Sequence, residues 1–348
     1  MSWYARSARP HRPYHTMQRL VILAPNWLGD AVMALPAIAD VRRGAPGMEI
    51  AVAARAAVAP LFQLVPGVDD TIVLSRPASI GRVGSWRSIG VELRGRGFDT
   101  AILLPNSMHS ALIADRAGIP ERWGYGDGVR RRWLTRSVPR ISRVHQVDFY
   151  RHLVERLGFH NGPREPRIAA PEPARAAGDR LLAAAGWNGT SPLVALAPGA
   201  AYGGAKRWPP ERFSALARAL ASDGVVCVII GSGADAQTTR EVARDCGAID
   251  LAGRTDLPAL AGVLTRCRAL VTNDSGAMHV AAALGVAVTA VFGPTDERAT
   301  APVGGEHAVL SYPVWCRPCM LRECPLDHRC MRGIDVGPVL EAARRTRQ

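Results

Sequence analysis

The sequence predicts an α/β protein made of two Rossmann-like domains that face each other across a cleft. Short apolar runs alternate with segments of helical periodicity, and this alternation occurs twice along the chain. A stretch rich in proline, glycine and arginine, residues 161–173, separates the two sets and is predicted to be a linker. Such alternation is typical of parallel sheets covered by helices on both faces. In these sheets, ligands bind at the carboxyl ends of the strands.

The first set of elements forms a predicted amino-terminal domain, residues 18–165. Apolar runs of four to seven residues indicate buried strands, and the amphipathic segments between them indicate helices. The predicted strands are Leu20–Ala24, Glu49–Ala53, Asp70–Leu74 and Thr100–Leu104. The predicted helices are Asp30–Arg43, Val58–Leu64, Ser85–Arg94 and Ser110–Ala117. Residues 1–17 are basic and lack a hydrophobic stretch, so we predict a disordered arm and no secretory signal.

The second set forms a predicted carboxyl-terminal domain, residues 175–330. Its predicted strands are Leu193–Ala197, Val225–Ile230, Ala269–Thr272 and Ala287–Phe292. Its predicted helices are Asp179–Ala185, Pro210–Ser222, Ala236–Cys246, Leu257–Arg266 and Ala277–Leu284. Asp256 is a good N-cap for the fourth of these helices. A cysteine-rich loop, residues 315–331, precedes a final helix, Val336–Arg345, within a terminal segment at 335–348.

Composition limits the classes of function. The chain of 348 residues is 48% hydrophobic, and no apolar run reaches the roughly 18 residues that a membrane span needs. A net charge of +13 indicates an acidic partner, either nucleic acid, anionic lipid or a phosphorylated glycan. The sequence has no DNA-binding zinc-finger spacing and no RNA-binding signature, so charge alone is weak support for a nucleic-acid binder.

Four of the seven cysteines crowd into the loop, with His328 among them: Cys316, Cys319, Cys324 and Cys330. A C-x-x-C pair followed by two further cysteines and a histidine is a possible site for zinc or another thiophilic metal. The spacing of the second pair is not that of a standard zinc knuckle. A cysteine-rich loop that holds no metal is therefore the alternative, and the sequence leaves both open.

Lys206 is the single lysine among 43 Lys and Arg residues. It lies in a glycine-rich loop, Gly199–Lys206, between a predicted strand and a predicted helix. Loops of this kind hold phosphates, because backbone N–H groups and a lysine supply a positive field. A lysine is a compact charge that an arginine does not replace at a crowded phosphate. We predict a phosphate site here; the alternative is an exposed surface lysine.

Acidic residues follow three of the predicted strands. Asp30 follows the first strand and opens a helix, so it is either a base that faces the cleft or a helix cap. Asp235 closes the turn Gly231–Asp235, where it is placed either to bind ribose hydroxyls or to cap the next helix. For both Asp30 and Asp235, the sequence leaves the functional and the capping interpretation open.

The third of these strands, Ala269–Thr272, is followed by the segment Asn273–His279. Ser275 and Gly276 can offer N–H groups to a phosphate at the start of a helix. Asp274 would repel an isolated phosphate, which indicates a hydroxyl-rich neighbour such as a sugar. The alternatives are a capping aspartate and, for His279, a polar residue with ordinary partners.

Together these segments resemble the ADP-heptose:lipopolysaccharide heptosyltransferases, glycosyltransferase family 9. The match runs from Arg19 to about Ala343. It is carried by several motifs in the family's order: Ala24–Asp30, Leu104–Ser107 with Ser110–Leu112, Ala117–Tyr125, Pro198–Pro209 and Asn273–His279. The segment Cys316–Pro325 resembles the type II branch of the family.

The resemblance implies a GT-B fold, with the acceptor in the amino-terminal domain and the donor in the other. It implies that Asp30 is the general base and that Lys206 binds the donor diphosphate. Donor contacts are implied for the remaining positions: Asp235 with ribose, Asp274 with heptose hydroxyls, Thr255 with adenine through its backbone, and Gly199, Ser275, Gly276 and His279 near the phosphates.

The implied activity is inverting transfer of L-glycero-D-manno-heptose from ADP-heptose to the first heptose of the lipopolysaccharide inner core. No cofactor and no divalent metal are expected, and the sequence has no D-x-D motif. The alternatives are the type I branch, which acts on Kdo₂-lipid A, and a GT-B nucleotide-sugar epimerase. A nicotinamide dehydrogenase is disfavoured because the glycine fingerprint is absent after the first strand.

The resemblance also implies partners and a location. We expect a cytoplasmic monomer that contacts the anionic face of the inner membrane peripherally and binds no nucleic acid. The run Arg130–Arg132 is expected to contribute a basic surface for the phosphorylated acceptor.

Overall fold

The computed structural model describes residues 18–74, 85–244 and 246–345, so the predicted arm at 1–17 lies outside the described residues. Within these ranges the chain forms two six-stranded parallel sheets. The strands of the first sheet are β1 Arg19–Leu23, β2 Glu49–Arg55, β3 Asp70–Leu74, β4 Thr100–Leu103, β5 Glu121–Tyr125 and β6 Arg136–Val138. Those of the second are β7 Leu193–Ala197, β8 Val226–Ile229, β9 Ile249–Asp250, β10 Cys267–Asn273, β11 Ala287–Phe292 and β12 His307–Ser311.

Helices cover the faces of both sheets. In the first half they are α1 Leu28–Met33, α2 Leu35–Gly44, α3 Ser85–Arg94, α4 Met108–Arg116 and α5 Gln146–Arg156. In the second half they are α6 Glu172–Ala184, α7 Pro210–Ser222, α8 Ala236–Ala243, α9 Leu257–Leu264, α10 Gly276–Ala283, α11 Glu297–Thr300, α12 Arg329–Arg332 and α13 Val336–Arg345.

Both sheets have the strand order of a Rossmann fold. The first is ordered β3-β2-β1-β4-β5-β6, and the second, read from its other edge, is β9-β8-β7-β10-β11-β12. The order reverses beside β1 in one sheet and beside β7 in the other. Each reversal leaves a crevice at the carboxyl edge, where the crossover connections diverge. The α/β prediction is confirmed, and the topology predicts ligand sites after β1, β4, β7 and β10.

The central strands are buried because they are apolar on both faces. Every residue of β4 and β7 is buried, as are four of the five residues of β1. Parallel strands covered by helices on both sides need such unbroken apolar runs. This is why these strands were predicted to within a residue or two from composition alone.

The sequence pattern predicts no strand or helix between residues 118 and 160, but this region contains β5, β6 and α5. β5 has the polar sequence Glu121-Arg-Trp-Gly-Tyr125, and only its last three residues are buried. Arg122 lies in this strand, and its guanidinium donates to the carbonyl oxygens of Ile119 and Trp133. Hydrogen bonds from the Arg122 side chain to backbone carbonyls stabilise β5. Because β5 has no hydrophobic pattern, the sequence pattern does not predict this strand.

Several predicted helices differ from the structure by a few residues at an end, and two differ by more. The single helix predicted at Asp30–Arg43 is wrong: α1 ends at Met33 and α2 begins at Leu35. Pro36 lies in the first turn of α2, and a proline has no N–H for the carbonyl four residues earlier, so the helix breaks there. The helix predicted to begin at Asp179 begins at Glu172, because Pro173 is well placed in a first turn.

The two halves are in contact through backbone and core. In the stretch predicted as the linker, the N–H of Ile168 donates to the Ala283 carbonyl and the N–H of Ala169 donates to the Leu64 carbonyl, at 3.0 Å each. One continuous cluster of buried side chains includes residues of both halves, such as Met33 and Met278. The stretch is therefore fixed to both halves at Ile168 and Ala169.

Helices α6 and α9 pack so closely that two glycines are required between them. A Cβ added at Gly178 would overlap the backbone of Gly262, and one at Gly262 would overlap the carbonyl oxygen of Ala174. We expect Gly178→Ala to lower the free energy of unfolding by about 2 kcal/mol, since an added methyl here must displace backbone. Urea unfolding measures this.

Gly337→Ala is the matched control, because a Cβ at this helical glycine would meet no atom within 4 Å. It should leave the unfolding midpoint unchanged or raise it, as alanine favours helix. Equal midpoints for Gly178→Ala and Gly337→Ala would contradict the packing argument.

Candidate active site

A cavity of about 610 Å³ lies between the two halves at the carboxyl ends of their strands. Residues of α1 line it from the first half. The loops after β7, β8, β10 and β11 line it from the second. All the site residues predicted from the sequence line this one cavity: Asp30, Gly199, Lys206, Asp235, Thr255, Asp274, Ser275, Gly276 and His279.

Lys206 makes a buried ion pair. Its Nζ lies 2.5 Å from Oδ2 of Asp274, and the two side chains are 12% and 7% exposed. The Thr295 hydroxyl donates to the same carboxylate oxygen at 2.7 Å. Lys206 is therefore not an exposed surface lysine. Removing one partner of a pair this buried would leave a charge without compensation.

Asn273, the last residue of β10, joins the two loops that carry this pair. Its fully buried side chain accepts a hydrogen bond from the N–H of Trp208 at 3.0 Å and donates to the Pro198 carbonyl at 2.8 Å. The lysine loop and the turn after β10 are thus connected by one amide. The sequence pattern assigned no role to Asn273; the available signal was a carboxamide at the end of a largely buried strand.

Asp30 is the third residue of α1, and the N-cap of this helix is Trp27. Burial raises the pKa of its carboxyl to about 6; the nearby Lys206 charge opposes this rise and the Asp274 charge adds to it. Such a pKa suits a general base near neutral pH. Asp30 is therefore not the N-cap of α1: it is an acidic residue in the first turn of the helix, and it lines the cavity.

Glycines let the two halves approach at the cavity. Gly29 in α1 lies against the ring of His279 in α10, and a Cβ there would be 2.9 Å from the imidazole Cδ2. A Cβ at Gly276 would be 3.0 Å from Cδ2 of Leu28. Burial lowers the pKa of His279 to about 4, so its imidazole is neutral at physiological pH. The start of α10, with Ser275 as N-cap, therefore opens onto the cavity beside Asp30.

Asp235 lines the cavity and stabilises the turn before α8, but its side chain makes no capping hydrogen bond to that helix. Its Oδ2 accepts hydrogen bonds from the backbone N–H and the hydroxyl of Ser232, at 3.0 and 2.7 Å. The Arg207 guanidinium lies 3.9 Å from its Oδ1. Gly199 lies so near this carboxylate that a Cβ would overlap it. The glycine at 199 is thus required by the close approach of two loops.

Thr255 precedes α9 at the far end of the cavity. Asp256, the predicted N-cap of this helix, accepts a hydrogen bond from the N–H of Ala259 at 2.8 Å, so the capping prediction is confirmed. The helix ends at Leu264, two residues earlier than predicted.

The structure adds lining residues that sequence reasoning missed. Thr295 and Asp296 follow β11, and Tyr202 and Met320 lie at the lysine loop. The Lys206 Nζ lies 4.7 Å from the centre of the Tyr202 ring. Thr295 lies in the loop that follows the buried parallel strand β11, and this position was a signal for it, since other site residues lie in loops that follow strands.

A second cavity, of about 480 Å³, lies at the carboxyl edge of the first sheet. Its polar lining includes Asn26, Arg55, Ser107 and His109. Ala57 lines this cavity and the larger one, so the two are adjacent.

The expected basic surface at Arg130–Arg132 is wrong for Arg130. That side chain is buried and donates to the carbonyl oxygens of Tyr125, Pro105 and Ser107. Burial lowers the pKa of its guanidinium to about 10. Arg130 fixes the turn after β4, while Arg131 and Arg132 are exposed.

We expect Arg130→Ala to lower the free energy of unfolding by about 3 kcal/mol, because three carbonyls, that of Tyr125 among them buried, lose a charged donor. The double change of Arg131 and Arg132 to alanine should alter it by less than about 0.5 kcal/mol, as exposed substitutions do. Thermal unfolding of the two variants tests this. A stable Arg130→Ala variant would contradict the structural role.

No set of three or more His, Cys, Asp or Glu side chains is arranged to hold a metal ion among residues 18–74, 85–244 and 246–345. The four cysteines of the loop 315–331 are free thiols. Across the same ranges, no helix combines the length and hydrophobicity needed to cross a bilayer.

Comparisons with known proteins place this architecture. Residues 86–329 match the model of glycosyltransferase family 9 (heptosyltransferase). The chain is 31% identical over 309 residues to lipopolysaccharide heptosyltransferase 2 of Salmonella typhimurium, covering 84% of this chain and 87% of the relative.

Solved structures agree with this match. The ADP-heptose lipopolysaccharide heptosyltransferase II of Escherichia coli superposes with a TM-score of 0.79 at 27% identity, over 94% of this chain and 98% of that one. A family 9 glycosyltransferase of Veillonella parvula superposes with a TM-score of 0.84 at 23% identity, over 94% and 97% of the chains. The prediction of a GT-B fold is confirmed.

Proposed function

The chain belongs to glycosyltransferase family 9, the heptosyltransferases, and from this premise we propose that it transfers L-glycero-D-manno-heptose from ADP-heptose to the first heptose of the lipopolysaccharide inner core. One observation carries the proposal. The cavity between the halves places a carboxylate with a raised pKa, Asp30, opposite a lysine and a helix N-terminus.

This arrangement suits an inverting transfer. The Asp30 carboxylate takes the proton of the acceptor hydroxyl while the new C–O bond forms at the anomeric carbon of heptose. The bond from that carbon to the diphosphate breaks on the opposite face, and ADP leaves with the electron pair. The transition state resembles an oxocarbenium ion, as in inverting hydrolysis, with a sugar hydroxyl in place of water.

Charge on the leaving diphosphate is stabilised from the second half. Lys206 and the N–H groups at Ser275 and Gly276 are fixed before the reaction, so they stabilise the developing charge without reorganisation. The Lys206–Asp274 pair has a further consequence. In the proposed complex, the Lys206 ammonium contacts both the donor diphosphate and the Asp274 carboxylate. This contact keeps the carboxylate beside the heptose hydroxyls, which the carboxylate binds. We propose that these groups replace a divalent metal and that no cofactor is used.

The other donor contacts follow the cavity. Asp235 binds the ribose hydroxyls with the oxygen that Ser232 leaves open, and Thr255 contacts adenine through its backbone. Gly199 leaves room for the diphosphate beside Asp235, and His279 contributes a neutral donor or acceptor near the phosphates. Each assignment is a proposal that follows from the position of the residue.

The acceptor occupies the second cavity in this proposal. It adjoins the donor cavity at Ala57, and Arg55 and His109 provide polar groups for a phosphorylated, Kdo-bearing glycan. Exposed Arg131 and Arg132 and the net charge of +13 favour peripheral contact of a cytoplasmic monomer with the anionic face of the inner membrane.

The test is ADP release from ADP-L-glycero-β-D-manno-heptose with two acceptors, Kdo₂-lipid A and its mono-heptosylated form, with and without a chelator. We expect turnover only with the mono-heptosylated acceptor, at a rate that the chelator leaves unchanged. Turnover with bare Kdo₂-lipid A would identify the type I activity instead. Turnover of a UDP-sugar without acceptor would favour an epimerase, and dependence on added metal would contradict the metal-free step.

A further inference from the structure

The donor cavity is lined by more carboxylates than cations. Its acidic residues are Asp30, Asp235, Asp256, Asp274 and Asp296. Among the described residues, Lys206 is the one lysine or arginine that lines the cavity, and His279 is neutral. A nucleoside diphosphate that enters this field is repelled unless further positive charge comes from the rim.

Most cations at the rim are already neutralised by a carboxylate of their own. Four pairs surround the cavity: Lys206 with Asp274 at 2.5 Å, Arg207 with Asp235 at 3.9 Å, Arg298 with Asp296 at 2.9 Å and Arg317 with Glu297 at 2.7 Å. Each of these cations would have to leave its partner, or share it, to bind a phosphate.

Arg322 differs from them. Across the described part of the chain, its guanidinium has no carboxylate within ion-pair distance. Its Cζ lies 5.2 Å from the centre of the Tyr202 ring, and the Nζ of Lys206 lies 4.7 Å from the same centre. Tyr202 lines the cavity, so Lys206 and Arg322 both lie against one aromatic ring at the edge of the cavity.

The position of Arg322 is fixed by backbone contacts to the lysine loop. The N–H of Ala205 donates to the Arg322 carbonyl at 2.9 Å, and the Tyr202 hydroxyl donates to the Met320 carbonyl at 2.8 Å. The N–H of Gly204 donates to the Glu323 carboxylate at 3.0 Å. The cysteine-rich loop therefore lies directly on the glycine-rich loop and carries Arg322 with it.

We propose that Arg322 is a second cation of the donor diphosphate site, supplied by the cysteine-rich loop; this rests on the proposed use of an ADP-sugar. Its guanidinium donates to non-bridging phosphate oxygens beside Lys206. The planar guanidinium of an arginine can donate two parallel hydrogen bonds to one phosphate, whereas the lysine ammonium acts as a point charge. Arg322 supplies charge that the carboxylate-rich cavity lacks.

The experiment compares Arg322→Gln and Arg322→Lys with Arg329→Gln. Arg329 is an exposed arginine of the same loop, paired with Asp327 at 2.9 Å, so it is the matched control. Calorimetry measures the Kd of ADP and of adenosine for each protein. Arg322→Gln should weaken ADP binding about tenfold, the scale of one charged hydrogen bond, and leave adenosine binding unchanged. Arg322→Lys should restore part of the loss, and Arg329→Gln should match the unmodified chain.

Two results would overturn the inference: ADP affinity that Arg322→Gln leaves unchanged, or equal losses for ADP and adenosine, which would show that Arg322 only supports the loop. Failure of the unmodified chain to bind ADP at all would instead contradict the proposed function. The two failures are therefore distinguishable.

Discussion

Asp30→Asn should abolish most heptose transfer while leaving donor binding intact. The amide has the shape of the carboxylate but cannot take a proton, and general bases contribute about 10²–10⁴-fold to a rate. We expect kcat to fall within this range and the Kd of ADP to change less than about twofold, since the base acts on the acceptor side. Steady-state ADP release and calorimetry measure the two quantities.

The pH dependence of kcat/KM tests the role of Asp30 independently. The pKa of Asp30 is raised to about 6, and only its deprotonated form accepts a proton. The fraction of active base therefore rises with pH through about 6, and kcat/KM should fall as the pH is lowered through this value. The profile of Asp30→Asn should lack this step.

Asp127→Asn is the control, because Asp127 is an exposed carboxylate outside the cavity. It should behave as the unmodified chain. Full turnover by Asp30→Asn would show that the base is another group and that Asp30 is a structural residue of the cavity.

Lys206→Gln should produce the other large loss. Lys206 is the cation that lines the cavity, and removing one preorganised charge from a developing anion costs about 10²–10³-fold in kcat. The change also leaves Asp274 buried without its partner, so donor affinity should fall as well. Steady-state rates and donor affinity are measured together.

Lys206 and Asp274 shift the pKa of Asp30 in opposite directions. The Lys206 charge lowers it and the Asp274 charge raises it. The acid limb of kcat/KM should therefore move to higher pH in Lys206→Gln and to lower pH in Asp274→Asn. Shifts in the same direction for both variants would contradict a shared electrostatic site and indicate a change in cavity shape instead.

The fold class and many residues of the donor cavity could be predicted from the sequence, whereas Tyr202, Thr295, Asp296 and Met320 were not. An unbroken apolar run as short as Leu193–Ala197 favours a buried strand, and polar residues that follow such strands meet at one edge of a parallel sheet. This is why Asp30, Lys206 and Asp274 were found without coordinates. The polar strand Glu121–Tyr125 was missed for the converse reason, since arginine contacts stabilise it where a hydrophobic pattern would otherwise be needed.

The contacts of each polar group depend on how the chain folds in three dimensions. Asp30 and a capping aspartate have the same sequence pattern, and they differ in burial and in the charges that face them from the other half of the chain. Arg130 belongs to a basic run, yet its guanidinium is enclosed by carbonyls 5 to 25 residues away. Arg322 lies 120 positions from Tyr202 and meets it through loop packing. Pairing, burial and pKa depend on distances through space, which a linear pattern does not contain.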